Sequence, residues 1–305
     1  MNRKVLLLLN PKAGKADVKK RLLEIVDLFV KSGYDVTVRP SQKKREISQI
    51  IKKEGSKYGL VVCCGGDGTL NETINGLMTM PFADEETAAL NRPILGYIPT
   101  GTTNDYASSL QLPKDIIEAS KVILEGYTYL CDVGTFNERY FAYIAAFGVF
   151  TDISYKTPHK SKIIFGKIAY FIQAIKTKIK LKSYHLSIET PDRQFEGDYI
   201  FGMVTNSKFV AGFKEIDSEK IRMDDGLLEV MLIKTPRNLK ELNKIISSFL
   251  MQDKNCEFIL RFKTDQLNII SPTQIPWTID GEYGGNDRDV TIKNKKKAIK
   301  IIAKK

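Results

Sequence analysis

A glycine-rich loop, GGDGTLNE at residues 65–72, carries the residue types best suited to chemistry. It follows a buried apolar run and opens a helical pattern. Glycines around a single carboxylate let the backbone approach phosphate groups closely, because no Cβ stands in the way. Asp67 then lies where it could meet a nucleotide-bound Mg²⁺. The alternative is a plain glycine turn in which Asp67 caps the helix.

Two further loops repeat this order of strand, loop and helix. NPKAGK at residues 10–15 and PTGTTNDY at residues 99–106 each follow an apolar run, and neither is a Walker A loop. The first could hold an anion at a helix start or be an ordinary turn. In the second, Thr102 could donate to a phosphate, and Asp105 could cap the helix or face the site. Loops that follow parallel strands share one edge of the sheet, where open α/β folds bind ligands.

A fourth segment, DGEYGG at residues 280–285, has carboxylates on both sides of a glycine. In a strand, Asp280 and Glu282 would point to the same side. The pair could supply a metal ligand and a proton acceptor. The alternative is a hairpin turn with solvated acids.

The elements that must position these loops change in kind near residue 130. Before that point, apolar runs alternate with helical stripes, which predicts a parallel sheet covered by helices on both faces. From Cys131 to Asp289 most runs are strand-like and separated by turns, which predicts an antiparallel β domain. Helical patterns at 162–180 and 239–251 interrupt it, and the polar segment 79–93 predicts a surface loop.

The composition is globular and limits the function. The 305 residues are 43% hydrophobic and 27% charged, with a net charge of +11. That surplus favours an anionic partner: nucleic acid, an acidic membrane surface or a phosphorylated ligand. The four cysteines are too scattered for a disulfide scaffold or a zinc cluster and fit a cytosolic protein. We see no signal-peptide pattern, and the longest apolar stretch, eleven residues, is too short for a transmembrane segment.

Much of the positive charge lies between Asp152 and Glu189, where eight lysines occur without an acidic residue. An apolar stripe of helical period runs through residues 164–179. The segment could lie on an anionic membrane, or it could pack on the β domain with its lysines solvated. No helix-turn-helix, RRM or zinc signature accompanies the charge, so we do not expect nucleic acid as the partner.

Taken together, GGDGTLNE, PTGTTND and DGEYGG resemble the bacterial diacylglycerol kinase family, soluble lipid kinases related to sphingosine kinases. GGDGT alone is less specific, since NAD kinases and phosphofructokinases share it. The resemblance implies an α/β protein with an N-terminal Rossmann-like three-layer nucleotide-binding domain and a C-terminal antiparallel β-sandwich. The implied domains are 1–130, to which 291–305 returns, for ATP, and 131–290 for lipid.

The resemblance also implies the site residues. An acidic network of Asp67, Asp105 and Asp132 would lie near Mg²⁺, and Glu282, or less well Asp280, would accept the proton. A structural Mg²⁺ would be held by the side chain of Asp225 and by the backbone carbonyls of Arg222 and Leu227. Ser41 stands where the family has a threonine. The positions that match the family's nucleotide loops are Asn10, Pro11, Lys12, Ala13, Gly14, Ser41, Gly66, Asp67, Gly68, Thr69, Leu70, Asn71, Glu72 and Thr102.

The implied activity is transfer of the γ-phosphoryl group of ATP to the primary hydroxyl of diacylglycerol, giving phosphatidic acid. The alternatives are a kinase for another lipid, namely a sphingoid base, phosphatidylglycerol or a polyprenol, or a catalytically silent lipid-binding protein of the same fold. We expect a cytoplasmic protein that associates peripherally with the inner face of an anionic membrane. The resemblance leaves a homodimer open.

Overall fold

The computed structural model describes residues 2–11, 17–149, 182–207, 209–210, 213–214, 221–251, 253 and 255–304, which form a strand-rich, mixed α/β fold. Strands and helices alternate in its first part. The elements are β1 (Lys4–Leu9), α1 (Asp17–Lys31), β2 (Asp35–Pro40), α2 (Glu46–Glu54), a 3₁₀ turn (Gly55–Lys57), β3 (Leu60–Gly65), α3 (Asp67–Met78), α4 (Glu85–Asn91), β4 (Ile94–Pro99), α5 (Asp105–Ser109) and α6 (Ile116–Glu125).

The first four strands form a parallel sheet in the order β2-β1-β3-β4. Alternate residues of β1 enter different cores. Leu6 and Leu8 pack with the apolar residues of α2 and α3, whereas Val5 and Leu7 pack with those of α1 and α6. Because both faces are covered, the strands are apolar throughout rather than alternating. The predicted parallel sheet with helices on both faces is therefore present.

Antiparallel strands dominate the rest of the chain. The elements are β5 (Tyr127–Phe136), β6 (Arg139–Phe141), β7 (Ile144–Gly148), β8 (Tyr184–Glu189), β9 (Gln194–Thr205), β10 (Phe209–Val210), β11 (Phe213–Lys214), β12 (Leu228–Lys234), α7 (Leu239–Met251), β13 (Ile259–Thr264), β14 (Gln266–Ile279) and β15 (Glu282–Ala303). Their core surrounds Trp277, whose ring meets those of Phe136 and Phe147 edge-on at 5.0 and 4.9 Å.

The long strand β15 connects the two parts of the sheet. It forms a hairpin with β14, pairs antiparallel with β5, and reaches the parallel strands where Ile301 pairs with Leu95 of β4. The hairpin turn lies at Asp280 and Gly281, so the segment with the paired carboxylates is anchored on both sides by paired strands.

One prediction differs from the structure, and another is not tested by it. The segment 79–93, predicted as a loop, contains α4, because the side chain of Asp84 accepts a hydrogen bond from the backbone N–H of Thr87 and caps a short helix. The predicted helix at 162–180 lies outside the described residues, as do all the lysines of the basic segment except Lys182. Among the helices that the structure describes, none combines the length and apolar character needed to cross a bilayer.

Close contact between α2 and α3 depends on Gly76. A Cβ at this position would lie 2.8 Å from the Cβ of Ile51 and 3.0 Å from the Cα of Ser48. We expect Gly76→Val to lower the free energy of unfolding by about 2 kcal/mol, because backbone atoms must move to admit the side chain. Urea titration measures the change. Gly197→Val is the matched control, since the nearest atom there would be 3.7 Å away; an equal loss in both variants would contradict the packing explanation.

Candidate functional site

Two of the glycine loops touch each other at the carboxyl edge of the parallel sheet. A Cβ on Gly101 would lie 2.5 Å from the Cα of Gly66, so the loops after β3 and β4 can approach this closely only because both residues are glycine. The loop after β1 joins them, because the side-chain amide of Asn10 donates to the hydroxyl of Thr69 at 3.2 Å. The loops after β3 and β4 and the described start of the loop after β1 therefore gather at one edge, whereas residues 12–15 of that loop lie outside the described residues.

These loops line a cleft of about 1320 Å³. Residues 41–44 line the same cleft, and so do Tyr143 and the hairpin turn at 280–282. Charges of both signs face it: Lys20, Arg21, Lys43, Lys44 and Lys114 with Asp67, Glu72, Asp115, Asp280 and Glu282. The cleft therefore combines cations that could hold an anionic ligand with carboxylates that could hold a metal or accept a proton.

Asp67 begins α3 and is half-buried beside the loop after β4. Its Oδ2 accepts hydrogen bonds from the hydroxyl of Thr103 at 3.4 Å and from the backbone N–H of Asp105 at 3.3 Å. Its Oδ1 is buried and has no hydrogen-bond partner among the described residues. Burial raises the pKa of Asp67 above its ordinary value. A cation would satisfy this oxygen, and oxygen ligands of this kind suit a divalent metal, so the residues present fit one.

Asp280 anchors the hairpin turn. Its backbone adopts a left-handed conformation with φ of 48°, which is uncommon for a residue other than glycine. Its buried carboxylate accepts from the side-chain amide of Asn71 at 2.6 Å and from the backbone N–H groups of Ala142, Tyr143 and Ile144 at 2.6, 3.0 and 3.0 Å. Burial raises the pKa of Asp280 to about 6. Both carboxylate oxygens are thus occupied, which leaves Asp280 poorly placed to accept a substrate proton.

Glu282 is the accessible carboxylate of the same turn. Its side chain is 64% exposed, and its Oε1 lies 3.9 Å from the Nζ of Lys44. The same oxygen would be 3.3 Å from a Cβ on Gly68, so Glu282 reaches the first turn of α3, next to Asp67. Glu72 lies close by, and burial together with the charge of Glu282 raises the pKa of Glu72. Of the two candidate proton acceptors, Glu282 has the geometry for the role.

The predicted acidic network is only partly assembled. Asp105 is buried beside Asp67, but Asp132 does not line the cleft. The carboxylate of Asp132 accepts from the backbone N–H groups of Gly226 and Lys297, each at 2.7 Å, and from the side-chain amide of Asn294 at 2.8 Å. These donors use both oxygens to tie the turn at 224–226 to β15, so the geometry gives Asp132 a structural role.

Asp225, the side-chain ligand of the predicted structural metal site, contacts a backbone N–H and a lysine. The Oδ1 of Asp225 accepts from the backbone N–H of Leu227 at 3.0 Å, and its Oδ2 lies 3.5 Å from the Nζ of Lys263. That ammonium is also 2.9 Å from the Oε1 of Glu229, whose pKa burial raises to about 7. Across the described ranges, no three His, Cys, Asp or Glu side chains group as metal ligands. Lys263 thus lies beside the carboxylate that was predicted to bind Mg²⁺, and the metal site at Arg222, Asp225 and Leu227 stays a prediction.

The remaining predicted residues divide into three groups. Ser41, Gly66, Gly68, Thr69, Glu72 and Thr102 line the cleft with Asn10. Leu70 is fully buried in the core, Asn71 binds Asp280, and Pro11 is exposed outside the cleft lining. Lys12, Ala13 and Gly14 lie outside the described residues.

Sequence reasoning missed Tyr143, which lies in the cleft lining although only 6% of it is exposed. Burial, with the charges of Asp67, Asp280 and Asp105, raises the pKa of Tyr143 well above its ordinary value, so its hydroxyl stays protonated. The available signal was a tyrosine inside the apolar stretch 140–150, a pattern that equally suits a core residue.

Glycine loops, lysines and a carboxylate able to take a cation, all at the carboxyl edge of a parallel sheet, are features of α/β proteins that bind phosphorylated ligands. The diacylglycerol kinase catalytic domain family matches residues 4–136. A diacylglycerol kinase of Staphylococcus epidermidis is 33% identical over 287 residues, covering 93% of this chain and 87% of that protein. One of Staphylococcus aureus is 33% identical over 288 residues, covering 93% and 88%. The chain therefore belongs to the diacylglycerol kinase family.

Solved structures agree with this assignment. A Bacillus anthracis protein provisionally described as a diacylglycerol kinase is 26% identical, with a TM-score of 0.80, covering 99% of this chain and 97% of that chain. The crystal structure of a diacylglycerol kinase from the same organism has a TM-score of 0.75 at 23% identity, and shows the shared fold alone.

A structural role for Asp132 predicts a loss of stability on substitution. We expect Asp132→Ala to lower the free energy of unfolding by about 3 kcal/mol, because the backbone N–H groups of Gly226 and Lys297 and the side chain of Asn294 all lose the buried carboxylate that accepts from them. Urea unfolding measures the loss, and Asp192→Ala, which removes an exposed acid, is the control. If Asp132→Ala kept its stability but lost turnover, the structural role would be wrong and Asp132 would belong to the catalytic site.

The raised pKa of Asp280 predicts a pH-dependent stability. The folded protein holds this proton more tightly than the unfolded chain, so the resulting stabilisation is complete below about pH 4 and is lost as pH rises through the folded pKa of about 6. The substituted side chain in the variant Asp280→Asn stays neutral at every pH. Relative to this variant, the wild type should lose about 2 to 3 kcal/mol of unfolding free energy as the pH rises from about 4 to about 7. Urea unfolding at several pH values tests this, and a pH-independent difference between the two proteins would contradict it.

Proposed function

We propose that this protein transfers the γ-phosphoryl group of ATP to the primary hydroxyl of a diacylglycerol, giving phosphatidic acid and ADP. The observation that carries the proposal is the placement of two carboxylates beside the glycine loops of one cleft. Asp67 has a buried oxygen with no hydrogen-bond partner among the described residues, which a cation could bind. The exposed carboxylate of Glu282 reaches Gly68, the residue that follows Asp67. A metal-holding acid next to a proton acceptor suits transfer of a phosphoryl group to a hydroxyl.

The architecture supports a division of labour. In this proposal, residues 1–130 together with 291–305 form a Rossmann-like three-layer nucleotide-binding domain, and 131–290 form an antiparallel β-sandwich that receives the lipid. Two apolar cores flank the parallel sheet, and a third, around Trp277, is enclosed by antiparallel strands. The loops that would bind nucleotide all belong to the first unit.

The triphosphate would bind along the glycine loops. The contact of Gly66 with Gly101 brings the backbones of two of these loops together, and the N-terminus of α3 favours negative charge. Lys43 and Lys114 would neutralise the phosphates, and the hydroxyl of Thr102 would donate a hydrogen bond to one of them. Of the divalent metals, Mg²⁺ is the one we propose at Asp67, where a bound ion would neutralise charge that develops on the transferred group.

The proton of the lipid hydroxyl would pass to the Glu282 carboxylate. Its exposure at the cleft lets a substrate oxygen come within hydrogen-bonding distance of the carboxylate. Asp280 would act indirectly, by fixing the turn that carries Glu282. Because the transition state for phosphoryl transfer is loose, positioning and charge neutralisation would supply most of the rate.

A kinase for a sphingoid base, phosphatidylglycerol or a polyprenol would use the same cleft, so the choice of lipid rests on the named relatives. A catalytically silent lipid-binding protein is disfavoured because Asp67 and Glu282 are both in place. The net charge of +11 supports our proposal of a cytoplasmic protein bound peripherally to an anionic inner membrane face. The homodimer stays a prediction.

A lipid panel tests the proposed function. Radiolabelled ATP, Mg²⁺ and vesicles containing each candidate lipid should give labelled phosphatidic acid from diacylglycerol above the other products. Glu282→Gln should lower kcat by about 10²- to 10⁴-fold, because the proton acceptor is lost while the side chain keeps its shape. Glu138→Gln, which changes an exposed acid outside the cleft lining, is the control and should turn over normally. Full activity of Glu282→Gln would refute the assigned acceptor, and a preferred substrate other than diacylglycerol would refute the assigned lipid.

A further inference from the structure

Tyr143 is held rigidly at the cleft by its backbone. Its N–H donates to Oδ1 of Asp280 at 3.0 Å, and its carbonyl accepts from the backbone N–H of Asn206 at 3.1 Å and from the hydroxyl of Thr205 at 2.5 Å. These bonds fix the main chain on both sides of the ring. Because only 6% of the residue is exposed, packing around the ring limits the rotamer freedom that would be lost on binding.

Only 6% of Tyr143 is exposed, and the hydrogen bonds found for it among the described residues all use its backbone rather than its hydroxyl. The hydroxyl lies close to the hairpin turn, 3.7 Å from where a Cβ on Gly281 would be. Buried tyrosine hydroxyls normally find a partner. A tyrosine hydroxyl that lines a cleft is therefore placed to bond a ligand.

The charges around this hydroxyl limit what the ligand can be. Burial, and after it the charges of Asp67, Asp280 and Asp105, raise the pKa of Tyr143, so its phenol is a neutral O–H donor. A ligand that offers only acceptor oxygens and enters a region rich in carboxylates needs such a donor, because its own charge is repelled there. Phosphoryl oxygens meet this description.

We propose that the Tyr143 hydroxyl donates a hydrogen bond to a non-bridging oxygen of the γ-phosphoryl group of bound ATP. The proposal rests on the proposed function and adds a phosphoryl-binding residue to it. The lipid hydroxyl is the weaker candidate for this bond, since it must keep its lone pair for phosphorus and give its proton to Glu282. Tyr143 is also deeply buried beside Asp67, whereas Glu282 is largely exposed.

The test compares nucleotides that differ in the γ-phosphoryl group. Tyr143→Phe removes only the hydroxyl oxygen. Calorimetric titration with Mg²⁺ should show about tenfold weaker binding of a non-hydrolysable ATP analogue and unchanged binding of ADP, because ADP lacks the group that the hydroxyl bonds. In turnover, kcat should fall about 10- to 100-fold with an unchanged KM for the lipid.

Tyr106→Phe is the matched control. It removes the same atom from a fully buried tyrosine that does not line the cleft, and it should leave both nucleotide affinities unchanged. Thermal melting establishes that each variant is folded. Tyr143→Trp provides a second variant, because its indole restores an N–H donor on an aromatic ring. It should recover part of the difference between the affinities for the ATP analogue and for ADP.

The outcomes separate this inference from the proposed function. Equal weakening of ADP and the analogue, or a raised KM for lipid with unchanged affinity for the analogue, would overturn the γ-phosphoryl assignment. A wild type that turns over no diacylglycerol would overturn the proposed function alone, because the comparison of nucleotides needs no lipid.

Discussion

The site depends on one buried carboxylate, that of Asp280. Four donors converge on it: the side chain of Asn71 and three consecutive backbone N–H groups from Ala142 to Ile144. These bonds join α3, which carries Asp67, to the hairpin turn, which carries Glu282. Since isolated charge is costly to bury, the fold places this acid where its full hydrogen-bonding capacity is used.

Negative charge in the cleft is balanced in different ways. Asp280 is stabilised by hydrogen bonds, Glu282 has Lys44 nearby, and Asp67 has a buried oxygen with no donor among the described residues. Only the last leaves an electrostatic demand that the described protein does not meet. Binding sites often contain a buried polar group that the fold leaves without a partner. A ligand that bonds to such a group gains binding free energy, because it removes the cost of the missing interaction.

Local sequence signals predicted the parts of this structure that local chemistry determines. The apolar stripe at 239–251 gives α7 with the same bounds, and the glycine loops meet because strand ends in a parallel sheet share an edge. Prediction failed where distant segments decide. Asp132 was expected near Asp67, but its partners come from β15 and the turn at 224–226. The lysine at Asp225 depends on the register of β12 with β13, which pairs Glu229 with Lys263.

Tyr143 was missed for a related reason, since a tyrosine with apolar neighbours in the sequence suits a core residue as well as a ligand contact. Only its three-dimensional surroundings distinguish the two. The helix α4 is a different case, because a local signal for it was present. Asp84 followed by two acidic residues is typical of a helix start, but the polarity of the whole segment favoured a loop.

Strand β15 constrains how the enzyme can open and close. A single continuous strand of 22 residues pairs with the antiparallel strands near its start and with β4 near its end. A large hinge rotation between the two regions would have to break backbone pairing along this shared strand, at the cost of several hydrogen bonds. We therefore expect substrate access to rely mainly on rearrangement of loops and side chains at the rim of the cleft.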